Sequence, residues 1–345
     1  METLLKQLTE AVGVSGDEYE VRRLIRDLIR EHVDDWWVDA LGNLLALKKG
    51  TGANDLRVLV DAHMDEVGLI VTGIDSSGHL QFDKLGSIDD RVLAGATVQV
   101  GRNKIKGVIG IRPIHLIKNT ERAQVTEYTT LRIDIGAQDD KEAGAQAAVG
   151  DRGTFFGRYQ SLGPTAISKA FDNRAGCAAL IQLLQGERYP FDLYAVFSVQ
   201  EEIGLRGAIV AANAIAPDIA LVLECTPAYD LPTEQDVNPN TYLGRGPCIY
   251  VMDNVTIQDP RLVRHLITTA AKHNLPYQIR QPGGGGTNTG RYQRALDGIP
   301  AATLGLPGRH AHTACTIIHL ADYENYVKMA DAALRALDRS IISRQ

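Results

Sequence analysis

The feature that most constrains this chain is a change of hydrophobic period partway along it. From about Val67 to Gly163 the apolar residues recur in short alternating runs, whereas the sequence on either side reads as strands followed by helices. Within that region Leu69, Val71, Leu80 and Phe82 alternate around Asp75-Ser76-Ser77-Gly78, a hairpin pattern. Short strands are expected at 96–100, 107–111, 131–135 and 153–156, with one helix at 139–147. After Pro164, helices at about 174–184 and 206–215 alternate with strands at 193–199 and 219–223. Asp259-Pro260 opens another helix, and a strand at 301–304 precedes an amphipathic helix at about 321–337. Upstream, Ser15-Gly16-Asp17-Glu18 reads as a capping box for a helix bearing Val21, Leu24, Ile25, Leu28 and Ile29. Arg57 to Ala62 reads as a strand ending at His63. The expected architecture is α/β, a mostly parallel sheet flanked by helices and built from 1–66 and 164–345. An all-β, barrel-like module of 67–163 is inserted into it.

Bulk properties narrow the function classes. A chain of 345 residues exceeds the usual size of one compact core, which suits a large domain plus a module. The net charge of −6 argues against a nucleic-acid partner, because phosphate neutralisation needs a basic surface. The basic stretch from Arg102 to Lys118 reads as a solvated strand face. No apolar run reaches the roughly 18 residues of a membrane span, and Met1-Glu2-Thr3-Leu4-Leu5-Lys6 does not read as a signal peptide. Cys177, Cys225, Cys248 and Cys315 are scattered without paired spacing and read as free thiols of a reducing compartment. A cytoplasmic location is expected.

In open α/β sheets, ligands bind beyond the carboxyl ends of the strands. Past those ends lie His63 and Asp65, then Glu201 and Glu202, then Glu224, then His310 and His312. Asp172 stands at the start of a helix. His63-x-Asp65 places two side chains on one side of an extended segment, where a carboxylate can fix the tautomer of a metal-bound imidazole. The same pair also suits a core histidine satisfied by an acid. Glu201-Glu202, adjacent acids closing an apolar run, would repel at a buried edge unless a cation compensates; on a surface turn they need none. Asp172 has the short arm suited to bridging two metals about 3.5–4 Å apart, yet any aspartate there can also cap the helix. Gly283-Gly284-Gly285-Gly286 is either a linker or a loop that lets substrate approach the backbone; it lacks the Gly-Lys-Ser/Thr ending of a phosphate loop.

Together these segments resemble the TET-type metalloaminopeptidases, a tetrahedral, dodecameric family also known as glutamyl or deblocking aminopeptidases or "cellulase M". The likeness runs nearly the whole chain. It rests on Asp61-Ala62-His63-Met64-Asp65-Glu66-Val67-Gly68, Phe171-Asp172-Asn173-Arg174, Gln200-Glu201-Glu202-Ile203-Gly204 and Arg309-His310-Ala311-His312-Thr313. The resemblance implies two divalent ions per chain, zinc or cobalt. His63 would bind one, Asp172 would bridge both, and Glu202 with His312 would hold the other. Glu201 would be the general base and Asp65 the partner of His63. The remaining ligand falls on Glu224, where the family usually has aspartate; glutamate is one methylene longer but still a hard oxygen donor. Gly286, Thr287 and Asn288 would line the substrate pocket, and at Asn288 the family typically shows aspartate. The inserted β module would be the dimerisation domain, building dimers and a tetrahedral dodecamer.

The implied reaction is hydrolysis of N-terminal residues from short peptides by a water activated between two metals, with no covalent intermediate. A glycosidase would need two opposed carboxylates and gives no use for His63 or His312. A deacetylase or carboxypeptidase could be built on the same scaffold, and so could a non-catalytic assembly protein that has lost its metals. Metal content separates the last from the enzymes.

Overall fold

The computed structural model describes residues 1–118, 120, 124–231, 241–280 and 284–343. Gly283, the first residue of the tetraglycine, lies outside them. Four parallel strands form the middle of an 11-stranded sheet, in the order Asp192–Ser198, Arg57–His63, Ile219–Pro227 and Ala301–Arg309. Antiparallel strands extend it on both sides. Leu44–Lys48 and Asp35–Val38 lie beyond Asp192–Ser198, and Thr316–His319, Thr165–Ser168 and Gln160–Leu162 lie beyond Ala301–Arg309. The sheet is therefore mixed, and the parallel pairing expected of it belongs to its centre.

Alternation along the central strands sorts two cores. Val58, Val60 and Ala62 face the helices Glu2–Glu10, Tyr19–Ile29, Phe171–Gln185 and Leu320–Arg335 through Leu5, Val21, Ile25, Leu180 and Met329. Leu59, Val196 and Val222 face the helix Arg206–Ile215 through Ala208, Ala211 and Ile215. Each fully buried aliphatic side chain contributes roughly 1.5–3 kcal/mol, so these two layers fix the strand ends where the acids and imidazoles emerge.

The second unit is a closed barrel of Gly68–Ile74, Leu80–Leu85, Ile133–Asp134, Ile105–Ile109, Thr97–Val100 and Arg152–Phe155. The hairpin pairs Val71 with Phe82 as its alternation predicts. Leu69, Leu80, Val98, Ile109, Ile133 and Phe155 fill the interior, a core separate from the sheet's two. The strand expected at 131–135 is only two residues long, and the helix expected at 139–147 spans Asp140–Gly144.

Two expectations are corrected. Ser15-Gly16-Asp17-Glu18 is no capping box: the helix begins at Tyr19 with Glu18 at its N-cap making no side-chain cap bond. The Ser15 hydroxyl donates to Asp65 Oδ2 at 2.6 Å instead, and Glu18 accepts from the Gly16 N–H. A long-range acceptor outcompetes the local cap. The strand expected to stop at Leu223 continues to Pro227, so Glu224 lies inside it, paired in register with Gly305.

Candidate metal centre

The centre forms where the parallel strands end. His63 closes its strand, and its register partner is Ser198 on the neighbouring strand. Two residues past Ser198, Gln200 takes a left-handed φ of 54°, which turns the chain and brings Glu201 and Glu202 back toward His63. Glu224 enters from the next strand. His312, also left-handed at φ 61°, enters from the loop after Ala301–Arg309. Left-handed backbone at non-glycine residues carries a cost of order 1–3 kcal/mol and gathers at functional sites.

Two donor sets share one carboxylate. His63 Nε2 is 3.2 Å from Asp172 Oδ1 and 3.3 Å from Glu224 Oε1. His312 Nε2 is 3.4 Å from Asp172 Oδ2 and 3.4 Å from Glu202 Oε2. In each set the three donor atoms lie within 4.8 Å of one another. A third grouping at the same spacing joins Glu201 to His63 and Glu202. Asp172 thus turns one oxygen toward each set. It does not cap its helix: Asp172 and Asn173 are both non-helical, and Asn173 Oδ1 accepts the Gly176 N–H while its amide donates to Leu223 O. His310, the other histidine of that loop, is exposed and belongs to neither set.

The electrostatics call for cations. Like-charged carboxylates about 5 Å apart repel by about 3 kcal/mol at an effective dielectric constant near 20. Burial pushes the Glu202 carboxyl up to about 8, reinforced by the Asp172 charge, and pushes Glu201 well above the carboxylate range. Burial likewise raises Glu224, whose Oε2 is buried without a hydrogen-bond partner. Burial alone would lower His312, but the Glu202 and Asp172 charges raise it to about 10. Burial opposes ionisation of Asp172 too, yet hydrogen bonds from His312 and His63 hold it below the usual range. Three ligating carboxylates, a further glutamate and two imidazoles form a donor set suited to two divalent ions, with hard oxygens and neutral nitrogens and no thiolate.

A surrounding layer holds these donors in place. Asp65 accepts the backbone N–H groups of Glu201 and Glu202 at 2.9 and 3.1 Å, besides the Ser15 hydroxyl. His63 Nδ1 lies 3.1 Å from the Asp65 carbonyl oxygen and 3.5 Å from its carboxylate, so backbone and side chain together orient the ring. His312 Nδ1 meets Ser87 O at 2.8 Å, which turns Nε2 toward the metals. Two alternate residues of the barrel strand Arg152–Phe155 reach this layer. Arg152 donates to Ser15 O, and Thr154 donates to Glu66 Oε2. Glu66 in turn receives Lys169 and Arg174, both buried, and Arg174 also donates to Met64 O between His63 and Asp65. Sequence reasoning missed this brace, although Glu66 and Arg174 stand inside the very segments that carried the resemblance.

A cavity of about 530 Å³ opens onto the donors and is also lined by Tyr250, Asp253, Arg280 and Arg291. Gly286 and Thr287 line it as expected. Asn288 does not: it is buried beneath, where its amide donates to Asp61 Oδ2 and Ser198 Oγ. That position braces two strands and cannot touch a substrate.

The family model of the M42 glutamyl aminopeptidases matches residues 42–329. The chain belongs to the M42 peptidase family. A shorter model, AMPT, matches residues 1–24. Among solved M42-like structures, the TET aminopeptidase of the marine sediment archaeon Thaumarchaeota archaeon SCGC AB-539-E09 superposes with a TM-score of 0.93 at 34% identity, covering 98% of this chain and 97% of that one. The TET1 peptidase of Pyrococcus horikoshii, described as assembling into a tetrahedron or a large octahedral shell, superposes with a TM-score of 0.87 at 34% identity, covering 97% and 99%. The lysyl aminopeptidase of Pyrococcus furiosus is 31% identical over 343 residues, covering 97% of this chain and 96% of its own. This M42 chain is accordingly a peptide hydrolase, an aminopeptidase in kind. Among the described residues no helix is long and apolar enough to cross a membrane.

Proposed function

We propose that the chain removes N-terminal residues from short peptides using two divalent ions, zinc or cobalt. His63, Glu224 and Asp172 would hold one, and Asp172, Glu202 and His312 the other. The observation that carries this reading is the pair of donor sets meeting at Asp172. When bound, the ions supply Lewis acidity toward the attacking water and the scissile carbonyl oxygen. Glu201 stands outside both sets that share Asp172 and lines the same cavity. Its burial raises its proton affinity, so it takes a proton from the attacking water and returns it to the leaving amine. Asp65, through the two backbone N–H groups it receives, fixes where Glu201 and Glu202 point.

The decisive experiment is Glu201→Gln in metal-loaded protein. Turnover of aminoacyl substrates should fall by roughly 10²–10⁴-fold, the usual worth of a general base, with two ions per chain retained. Near-parental turnover removes Glu201 as the base, and parent protein that binds no metal removes the whole reading.

Assembly belongs to the same proposal. Ile111, Ile114 and Leu116, on the segment following a barrel strand, are 62%, 67% and 64% exposed. An apolar cluster of this kind suits contact with a second copy, and the Pyrococcus horikoshii relative does assemble into shells.

A further inference from the structure

We propose that Arg291 reads a carboxylate on the substrate; this rests on the aminopeptidase reading above and names what the cavity selects. Apart from the donor cluster, the charged side chains lining the cavity are Asp253, Arg280 and Arg291. Two of them are committed to the wall. Asp253 accepts the Val255 N–H on one oxygen and the Thr287 hydroxyl on the other. Arg280 is buried over the Tyr250 ring and donates to Thr226 Oγ1, Met252 O and Gly284 O.

Arg291 differs. Its Nη2 donates to Gly204 O at 2.9 Å, which anchors the head two residues beyond Glu202. Its Nε is buried with no hydrogen-bond partner, and among the described residues it makes no ion pair. A guanidinium offers five N–H donors in a fixed fork that matches a carboxylate on two parallel bonds. An orphaned donor in a half-buried cation carries a desolvation cost that a ligand oxygen relieves. With Asp172, Glu202 and Glu224 committed to ions, this fork is the cation left facing the cavity to meet an anionic substrate group.

That carboxylate has two sources: the side chain of an N-terminal glutamate or aspartate, or the free C-terminus of a very short peptide. Aminoacyl anilides lack the second and so isolate the first. The test is metal-loaded parent and Arg291→Gln, compared by kcat/KM on glutamyl- and alanyl-p-nitroanilide, and on Ala-Ala and its C-terminal amide. A carboxylate reader loses about 10–100-fold in one ratio, the worth of charge-assisted hydrogen bonds. A fall in the glutamyl-to-alanyl ratio assigns the side chain; a fall in the acid-to-amide ratio assigns the C-terminus. A purely structural Arg291 lowers all four substrates together, so both ratios staying within about twofold overturns the proposal. Arg291→Lys, which keeps the charge without the fork, should give a smaller fall in the same ratio and serves if the glutamine variant melts early. Parent enzyme inert on all four substrates refutes the aminopeptidase reading itself, an outcome distinct from unchanged ratios in an active enzyme.

Discussion

Replacing Asp65 with asparagine probes the layer behind the metal ligands without touching a ligand. Asp65 accepts three hydrogen bonds, from Ser15 Oγ and from the backbone of Glu201 and Glu202, at 2.6, 2.9 and 3.1 Å. A hydrogen bond to a charged group is worth about 1.5–3 kcal/mol net and a neutral one about 0.5–1.5, so each weakens by about 1 kcal/mol and the set by about 3. Removing a negative charge works the other way, because Asp65 also crowds Glu18, Glu201 and Glu202. In metal-free protein the two effects offset, and the urea midpoint should shift little. In metal-loaded protein the ions already balance the crowding, and only the loss of positioning remains. Outer-layer substitutions typically weaken metal binding 10–100-fold, or about 1.4–2.7 kcal/mol. Calorimetric titration with zinc or cobalt should therefore show that loss, and metal should raise the variant's melting temperature less than the parent's. Metal affinity within about twofold of the parent would refute the assigned role of Asp65.

Asp172→Asn should disturb both ions, whereas His63→Ala and His312→Ala should each lower the stoichiometry from about two toward one; metal analysis of dialysed protein reads the difference, and an Asp172 variant that loses only one ion contradicts bridging. Glu18 is pushed up to about 7 by burial and the nearby Asp65 charge. A raised folded pKa means stability that is complete below the unfolded value of about 4.5 and is lost as pH rises through about 7, by at most about 3 kcal/mol. Urea midpoints measured across that window should fall in the parent and stay flatter in Glu18→Gln; parallel curves would count against the burial argument. Ile111→Asp with Ile114→Asp should reduce the particle to smaller species by light scattering, and an unchanged particle removes that apolar segment from the assembly contact.

Much of the centre was legible because strand ends announce themselves. His63, Glu201, Glu202 and His312 each follow an apolar run, and their types and positions alone suggested convergence. Glu224 was found despite a misplaced strand end, since a charged residue in a buried strand looks like the end of one. The barrel was legible for the same reason as the sheet: its alternating apolar residues have a period of two. What could not be read depends on contacts far apart in the chain. Asn288 meets Asp61 across 227 positions, and no local pattern says that its amide points down between strands instead of into the cavity. Ser15 looked like a cap because capping boxes are local, while its actual acceptor lies 50 residues away. Asp172 looked like a cap for the same reason, and the neighbouring Asn173 does that work.

Arg152 and Thr154, one residue apart on a single barrel strand, touch the residues that brace Asp65 and Met64. The two halves of the molecule therefore cannot be treated as interchangeable parts. A chimera carrying a foreign barrel would inherit a hydrolytic centre whose scaffolding had been cut at two points. A subunit that grips its neighbour through the barrel pulls on the same strand that steadies the acids.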